Sequence, residues 1–380
     1  MAVKIARQSK HIALLGAPTS AASLAAGHER GPQALRAAGL VERLTAAGFV
    51  VRDYGDCAVR VSAPDEEHPR ARNVDQARAT VEELRPKIEV AVKSGALPLV
   101  LGGDDTILLA TVAGCRRYYR NVSLIDLDRD AGLNVPATTP SGCVDGMVLS
   151  HVIGRGAPEL VRFWGEPPLV REPGVALFGV ERLDEPEQRF LTDSPLRRYF
   201  AADVQSKGAA AAAEEALEHA HGRTHEFVLH IDLDVISGDD FSATNLSAPG
   251  GLRFDEVRQA LAVFARQPTL SAIEVSAYNP ALDPDGAAAR RVIDLLVEVL
   301  SPRLEGSAAA EPKQDAVPTP AAESDQAVAG AEKSAAPVET PEAPSEPAAG
   351  EESAQPSSST EESIEREAPE TPSDSESPSS

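Results

Sequence analysis

Apolar residues along the first 300 positions fall into short continuous runs separated by stretches of helical periodicity. Residues 11–15, 49–51, 97–101, 122–127, 175–178, 227–233 and 270–275 are rich in Leu, Ile and Val. Several of these runs are apolar at consecutive rather than alternate positions, which predicts strands buried on both faces. Between the first two runs, Gly31-Pro32 opens a helix, with Pro at a first-turn position where its missing N–H costs nothing. Leu35, Leu40 and Leu44 give that helix an apolar side, and Gly48 stops it. Val81, Leu84, Ile88 and Val92 recur at helical spacing, and Pro86 among them predicts a kink or an end. Further helices are predicted over 106–119, 208–220, 254–267 and 286–300. Strands alternating with helices predict an α/β fold, with a mostly parallel sheet covered on both sides. Ligands of such sheets bind beyond the carboxyl ends of the strands.

Three of those strand ends are crowded with carboxylates: Gly102-Gly103-Asp104-Asp105, Ile125-Asp126-Leu127-Asp128-Arg129-Asp130 and Ile231-Asp232-Leu233-Asp234. Strand side chains alternate in direction, so Asp126, Asp128 and Asp130 share a face if the strand persists that far, as do Asp232 and Asp234. Like charges this close raise one another's pKa, and a bound divalent cation removes the penalty. Oxygen-only ligation suits Mg²⁺, Mn²⁺ or Ca²⁺. Asp also caps the turn or helix after a strand, so one Asp-x-Asp is a weak signal; two on the ends of one sheet point to a metal site or its relic. An EF-hand does not fit, because Ala131 and Ala137 occupy its glycine and glutamate positions.

Composition separates the chain into two parts. It has 380 residues, 36 basic and 59 acidic, and a formal charge of −23. Residues 301–380 hold 18 acidic and 4 basic side chains and no aromatic residue, which leaves −9 for the first 300. A segment of Pro, Ala, Ser and Glu cannot bury enough to offset its ordering entropy, so residues 303–380 are expected to be a disordered tail. The acidic body argues against nucleic acid as a partner. There is no membrane-length apolar run and no secretory leader, and Cys57, Cys115 and Cys143 are too few and scattered for a disulfide framework. A cytoplasmic protein with reduced thiols is expected.

The same motifs, in order over residues 10–300, resemble the ureohydrolase superfamily, which includes arginase and agmatinase. Gly16-Ala-Pro and Gly31-Pro-Gln-Ala-Leu-Arg resemble its N-terminal segment, and Leu99-Val-Leu-Gly-Gly-Asp-Asp its Gly-Gly-Asp-His-Ser strand end. Asp126-Leu-Asp-Arg-Asp resembles Asp-Ala-His-x-Asp, and Ser141-Gly-Cys-Val-Asp-Gly the loop Ser-Gly-x-x-His-Gly. Gly179-Val-Glu-Arg-Leu-Asp184, Asp232-Leu-Asp234 and Ala277-Tyr-Asn-Pro280 match later segments. The resemblance implies a three-layer α/β/α fold over residues 8–302, homo-oligomers (trimer or hexamer), and two Mn²⁺ ions that activate hydroxide for attack on a guanidinium carbon. Carried over by position, the metal ligands are Asp105, Asp126, Asp128, Asp130, Asp232 and Asp234. Asp130 and Asp145 take catalytic positions, and Ser141 and Asp184 contact substrate.

The departures from the family pattern fall on chemistry. Asp105 and Asp128 replace the two histidine ligands, Asp145 replaces a proton-shuttling histidine, Ala277 replaces a guanidinium-clamping Glu, and Leu246 replaces a Thr. Six carboxylates leave a two-cation site about two charges more negative than four carboxylates with two imidazoles. That makes bound water less acidic and shifts preference toward Mg²⁺ or Ca²⁺. Two functions follow: a metal-dependent hydrolase of an amidine or guanidino C–N bond in an altered small-molecule substrate, or a non-catalytic relative, holding no metal if degenerate, that acts in assembly or regulation. Among other polar residues, His151 reads as a packed or surface residue rather than a ligand, His28 as a solvated loop residue, Arg129 as a structural ion-pair partner and Cys143 as inert. His230, two residues before Asp232, can share its face.

Overall fold

The computed structural model describes residues 5–308 of the chain. Its strands are β1 (His11–Gly16), β2 (Val50–Asp56), β3 (Leu97–Leu101), β4 (Val122–Leu127), β5 (Val175–Val180), β6 (Arg197–Phe200), β7 (Glu226–Asp232) and β8 (Leu270–Ser276). They form one 8-stranded sheet in the order β2-β1-β3-β8-β7-β4-β5-β6. Every neighbouring pair is parallel, as continuous apolar runs require.

Alternation along the strands builds two cores. Ile12, Leu14, Leu99, Ile125, Leu229 and Ile273 face one way and pack with Leu35, Leu44, Ala216, Leu261 and Leu296 from the helices Gly31–Ala37, Leu40–Ala47, Ala209–His221, Phe254–Ala265 and Ala287–Leu300. Ala13, Leu15, Val100, Leu124, Val228 and Ala272 face the other way and pack with Val81, Leu84, Val112 and Leu149 from the helices Val74–Lys93, Ile107–Arg116 and Val148–Val152. The result is the expected three-layer α/β/α fold. A short helix, Pro302–Ala308, takes in the first residues of the expected tail 303–380, and the rest of that tail, from residue 309, lies outside the described residues. Among the described residues, no helix is long and apolar enough to cross a membrane.

Local pattern misplaced several elements. Pro86 does not end its helix, which runs unbroken from Val74 to Lys93. Residues on both sides of it, Val81, Leu84, Ile88 and Val92, are buried, and that packing outweighs the lost backbone hydrogen bond. The neighbouring helix approaches closely there: a Cβ on Gly114 would lie 2.7 Å from Ile88 Cγ2. Pro86 itself is exposed, so Pro86→Ala is expected to stabilise the protein by about 1–3 kcal/mol, read as a higher urea midpoint at unchanged slope. The edge strands β2 and β6 carry polar and charged residues, so the apolar pattern caught only the start of β2 and missed β6.

Candidate metal centre

The central strands β3, β8, β7 and β4 end side by side, and their carboxyl ends make the floor of a cavity of about 300 Å³. Its lining includes Asp105, Asp128, Asp130, Asp145, Asp232 and Asp234, drawn from segments far apart in sequence. The loop after β3 places the first of these. Gly103 passes so close to Thr19 that a Cβ would sit 1.6 Å from the Thr19 carbonyl oxygen, which leaves room only for glycine. Asp104 locks the loop by accepting from Thr19 Oγ1 at 3.1 Å and from the backbone N–H groups of Ala22 and Thr106 at 3.0 and 3.2 Å. Asp105 is thereby left facing the cavity.

β4 ends at Leu127 and β7 at Asp232, so the expectation that the acidic residues share strand faces holds for neither run. Asp128 and Asp130 lie in the loop after β4, and Asp234 in a single 3-10 turn over Leu233–Val235. Asp128 and Asp232 each accept from the backbone N–H two residues on, that of Asp130 at 2.7 Å and that of Asp234 at 2.6 Å. These Asx turns bring together what alternation alone would not.

Register supplies a further member. Across the sheet Asp126 pairs with His230, and His230 with Glu274, so the three side chains stand in a row on one face. His230 is fully buried, with Nδ1 2.7 Å from Glu274 Oε1 and Nε2 3.4 Å from Asp105 Oδ1 and 3.9 Å from Asp126 Oδ1. Two sets of buried ligand atoms result, each lying within 4.8 Å of one another: Asp105, Asp128 and His230, and Asp128, Asp232 and Asp234. Asp128 belongs to both. Asp105 Oδ1, Asp126 Oδ1, Asp234 Oδ1 and His230 Nε2 are all buried without a hydrogen-bond partner, as atoms that await a cation would be. The donor set therefore fits a divalent metal.

Asp130 is held differently. Arg182, just past β5, donates from Nε to Asp130 Oδ1 at 2.8 Å and from a terminal nitrogen to Oδ2, and that nitrogen lies 3.9 Å from Asp234 Oδ2. Asp130, expected as both ligand and catalytic residue, is paired by this guanidinium and is in neither ligand group, and Asp126 is likewise outside both. Arg182 was not singled out from the sequence.

The electrostatics follow from burial. Burial, reinforced by Asp234, Asp105 and Asp126, pushes Asp128 well above the usual carboxylate range. Burial raises Asp126 and Asp234 to about 7 each, the first further pushed by Asp105 and the second by Asp130 and Asp105. Burial and the neighbouring Asp105 and Asp234 hold Asp232 well above the ordinary value. For His230, burial acts downward, but Asp105, Glu274 and Asp126 outweigh it and hold the imidazole well above its usual range. Burial likewise pushes Asp105 upward, yet His230 beside it brings the net shift down.

The cavity walls carry the other expected residues. Asp145 accepts from the Asp105 N–H at 2.8 Å and from Ser23 Oγ at 3.2 Å, and burial with Asp105 and Asp104 nearby holds it well above the usual range. Asp184 precedes the helix Glu185–Asp193 and accepts from Asn134 Nδ2 at 2.7 Å. Ser141 lies on the lining, as does Ala277, whose φ of 63° is left-handed. His28 is not a solvated loop residue: it is buried on the cavity lining beside Ser23, with Nε2 unpartnered. Non-local packing, which local composition does not report, covers it. His151 is packed, with Nδ1 2.7 Å from the Met147 carbonyl oxygen, and burial takes its pKa down to about 4. Arg129 donates to the carbonyls of Ala248 and Pro249 and pairs with Glu181 at 2.7 Å. Burial pushes the Cys143 thiol up, away from the reactive thiolate.

The arginase family model matches residues 10–301. The chain belongs to the arginase family. It is 30% identical to the arginase of Bacillus caldovelox over 297 residues, 78% of this chain and 99% of that protein. The arginase of Bacillus subtilis strain 168 is 29% identical over 298 residues, again 78% of this chain and 99% of that protein. Among solved structures, Bacillus cereus arginase superposes with a TM-score of 0.71 at 30% identity, covering 77% of this chain and 98% of that one. In this arginase-family chain, the acidic cavity thus sits at the end of the sheet where parallel α/β folds bind their ligands.

Proposed function

We propose that this arginase-family chain is a divalent-cation-dependent hydrolase of a C–N bond in a small amidine or guanidino compound other than arginine. The observation that carries the reading is Asp128, whose carboxylate belongs to both groups of buried ligand atoms. Asp105, Asp126, Asp128, Asp232 and Asp234 would hold the cation, which supplies Lewis acidity and acidifies water. The chain's own groups do the rest. Asp184, fixed by Asn134, and Ser141 orient the substrate. Asp145, whose pKa is raised by burial and by Asp105, would hold a proton for the departing nitrogen at its carboxyl.

Arginine fits this cavity poorly. Ala277 offers no carboxylate to a guanidinium, and Arg182 adds a like charge to the wall. Losing one charge-assisted pair costs about 1.5–3 kcal/mol, or about 10–100-fold in rate. With Mn²⁺ or Mg²⁺ added, a screen over arginine, agmatine and guanidino and amidino acids should show release of urea or ammonia, with arginine at least about 10-fold below the preferred compound. Arginine as preferred substrate, or no turnover at all, overturns the proposal. One observation favours a second reading, a non-catalytic relative: Arg182 already neutralises Asp130 and stands beside Asp234. On that reading neither ligand group takes up a metal.

A further inference from the structure

We propose that His230 is the nitrogen ligand of a divalent cation in this cluster, delivered from β7 because Asp occupies positions 105 and 128, with Glu274 and Thr111 as its positioning residues. The inference rests on the reading that the cluster binds a divalent cation. Its carrying observation is the orientation of one buried ring. Glu274 Oε1, 2.7 Å from Nδ1, is a carboxylate that accepts the Nδ1 proton, while Thr111 Oγ1 donates to Glu274 Oε2 and holds that carboxylate in place. All three side chains are fully buried, and the carboxylate sits in register with the imidazole on the adjoining strand. With Nδ1 held by Glu274, the ring turns Nε2 toward Asp105 and Asp126, and a cation that displaced the Nε2 proton would take its lone pair.

Nε2 lies 3.4 Å from Asp105 Oδ1 and 3.9 Å from Asp126 Oδ1, and none of the three atoms makes a hydrogen bond. A divalent cation that displaced the imidazole proton would find these three buried atoms as ligands. Asp128 adds a fourth donor, since it shares a ligand group with Asp105 and His230. The carboxylate–imidazole pair is the arrangement that orients and strengthens a histidine ligand. An imidazole in the set changes the metal preference as well: it raises the affinity for transition ions, Mn²⁺ among them, relative to Mg²⁺ or Ca²⁺.

His28 is the competitor, because its Nε2 is also buried and unpartnered on the cavity lining. Full-length protein loaded with one equivalent of Mn²⁺ should show, by pulsed electron paramagnetic resonance, the ¹⁴N coupling of a directly bound imidazole. The coupling should vanish in His230→Ser and survive in His28→Gln. Glu274→Gln should weaken Mn²⁺ binding about 10–100-fold, and His230→Ser should erase the preference for Mn²⁺ over Mg²⁺. Bound Mn²⁺ without ¹⁴N coupling in the wild type, a measurement that needs no variant, overturns the role of His230 while leaving the cation site standing. Coupling lost in His28→Gln instead does the same. Absence of stoichiometric Mn²⁺ overturns both.

Discussion

Asp128→Asn is expected to lower divalent-cation affinity by at least about 100-fold while making the metal-free protein more stable. The two effects have one cause. The Asp128 carboxylate belongs to both ligand groups, so neutralising it removes an anionic donor from each; an amide oxygen is a far weaker ligand, and a 100-fold loss is about 2.7 kcal/mol. Without a cation, the same carboxylate is buried among Asp234, Asp105 and Asp126, and burial with that repulsion raises its pKa. An Asn keeps the acceptor that the Asp130 N–H uses at 2.7 Å, so the turn survives. The desolvation of a buried charged group is relieved, a gain on the order of 1–3 kcal/mol near pH 8. Calorimetric titration with Mn²⁺ and chemical denaturation in the presence of a chelator read the two halves separately. Unchanged cation affinity would remove Asp128 from the centre. A less stable metal-free variant would show that Asp128 is paired in a way the cluster geometry does not provide.

The sheet was legible because its strands are buried on both faces, which leaves an unbroken apolar run for each central strand and little for the edge strands β2 and β6. The acidic cluster was legible for a related reason: central strands of a parallel sheet end together, so carboxylates at three strand ends had to converge. Its charge balance was not. Counting Asp105 and Asp128 in place of histidines made the site about two charges more negative, and that count left out His230 beside Asp105 and Arg182 beside Asp130. His230 was visible as a residue that could share the face of Asp232, but its pairing with Glu274 depends on the register of β7 against β8. Arg182 depends on the adjacency of β4 and β5, joined past their ends by a bridge between Asp130 and Arg182. Neither relation leaves a periodic trace in the chain. His28 shows the same limit from the other side: a loop residue became buried because distant segments close over it.

Raising the pH from 6 to 8 should lower the thermal stability of the metal-free protein, and Mn²⁺ should reverse the loss. Asp126 and Asp234 are raised from 3.8 to about 7 by burial first and by neighbouring carboxylates second. Between the unfolded value and about 7 the folded state therefore binds more protons than the unfolded chain, so stability falls as pH rises. The sign for His230 agrees: its folded pKa is held above the unfolded value, so its contribution is complete below the unfolded value and fades as pH climbs through the folded one. One carboxyl moved from 3.8 to about 7 is worth about 4 kcal/mol by pH 7, most of it lost between pH 4 and 7. Between pH 6 and 8 a fall of a few kcal/mol is expected, a Tm lower by about 5–10 °C. A divalent cation displaces those protons, so it binds more tightly at pH 8 than at pH 6. At 100 times its Kd it adds about 2.7 kcal/mol. Thermal melts at both pH values, with Mn²⁺ and with chelator, should show the larger metal-induced rise at pH 8. Identical melts in all four conditions would mean that His230 and Arg182 already balance the carboxylates, and the non-catalytic reading would then stand in place of the hydrolase.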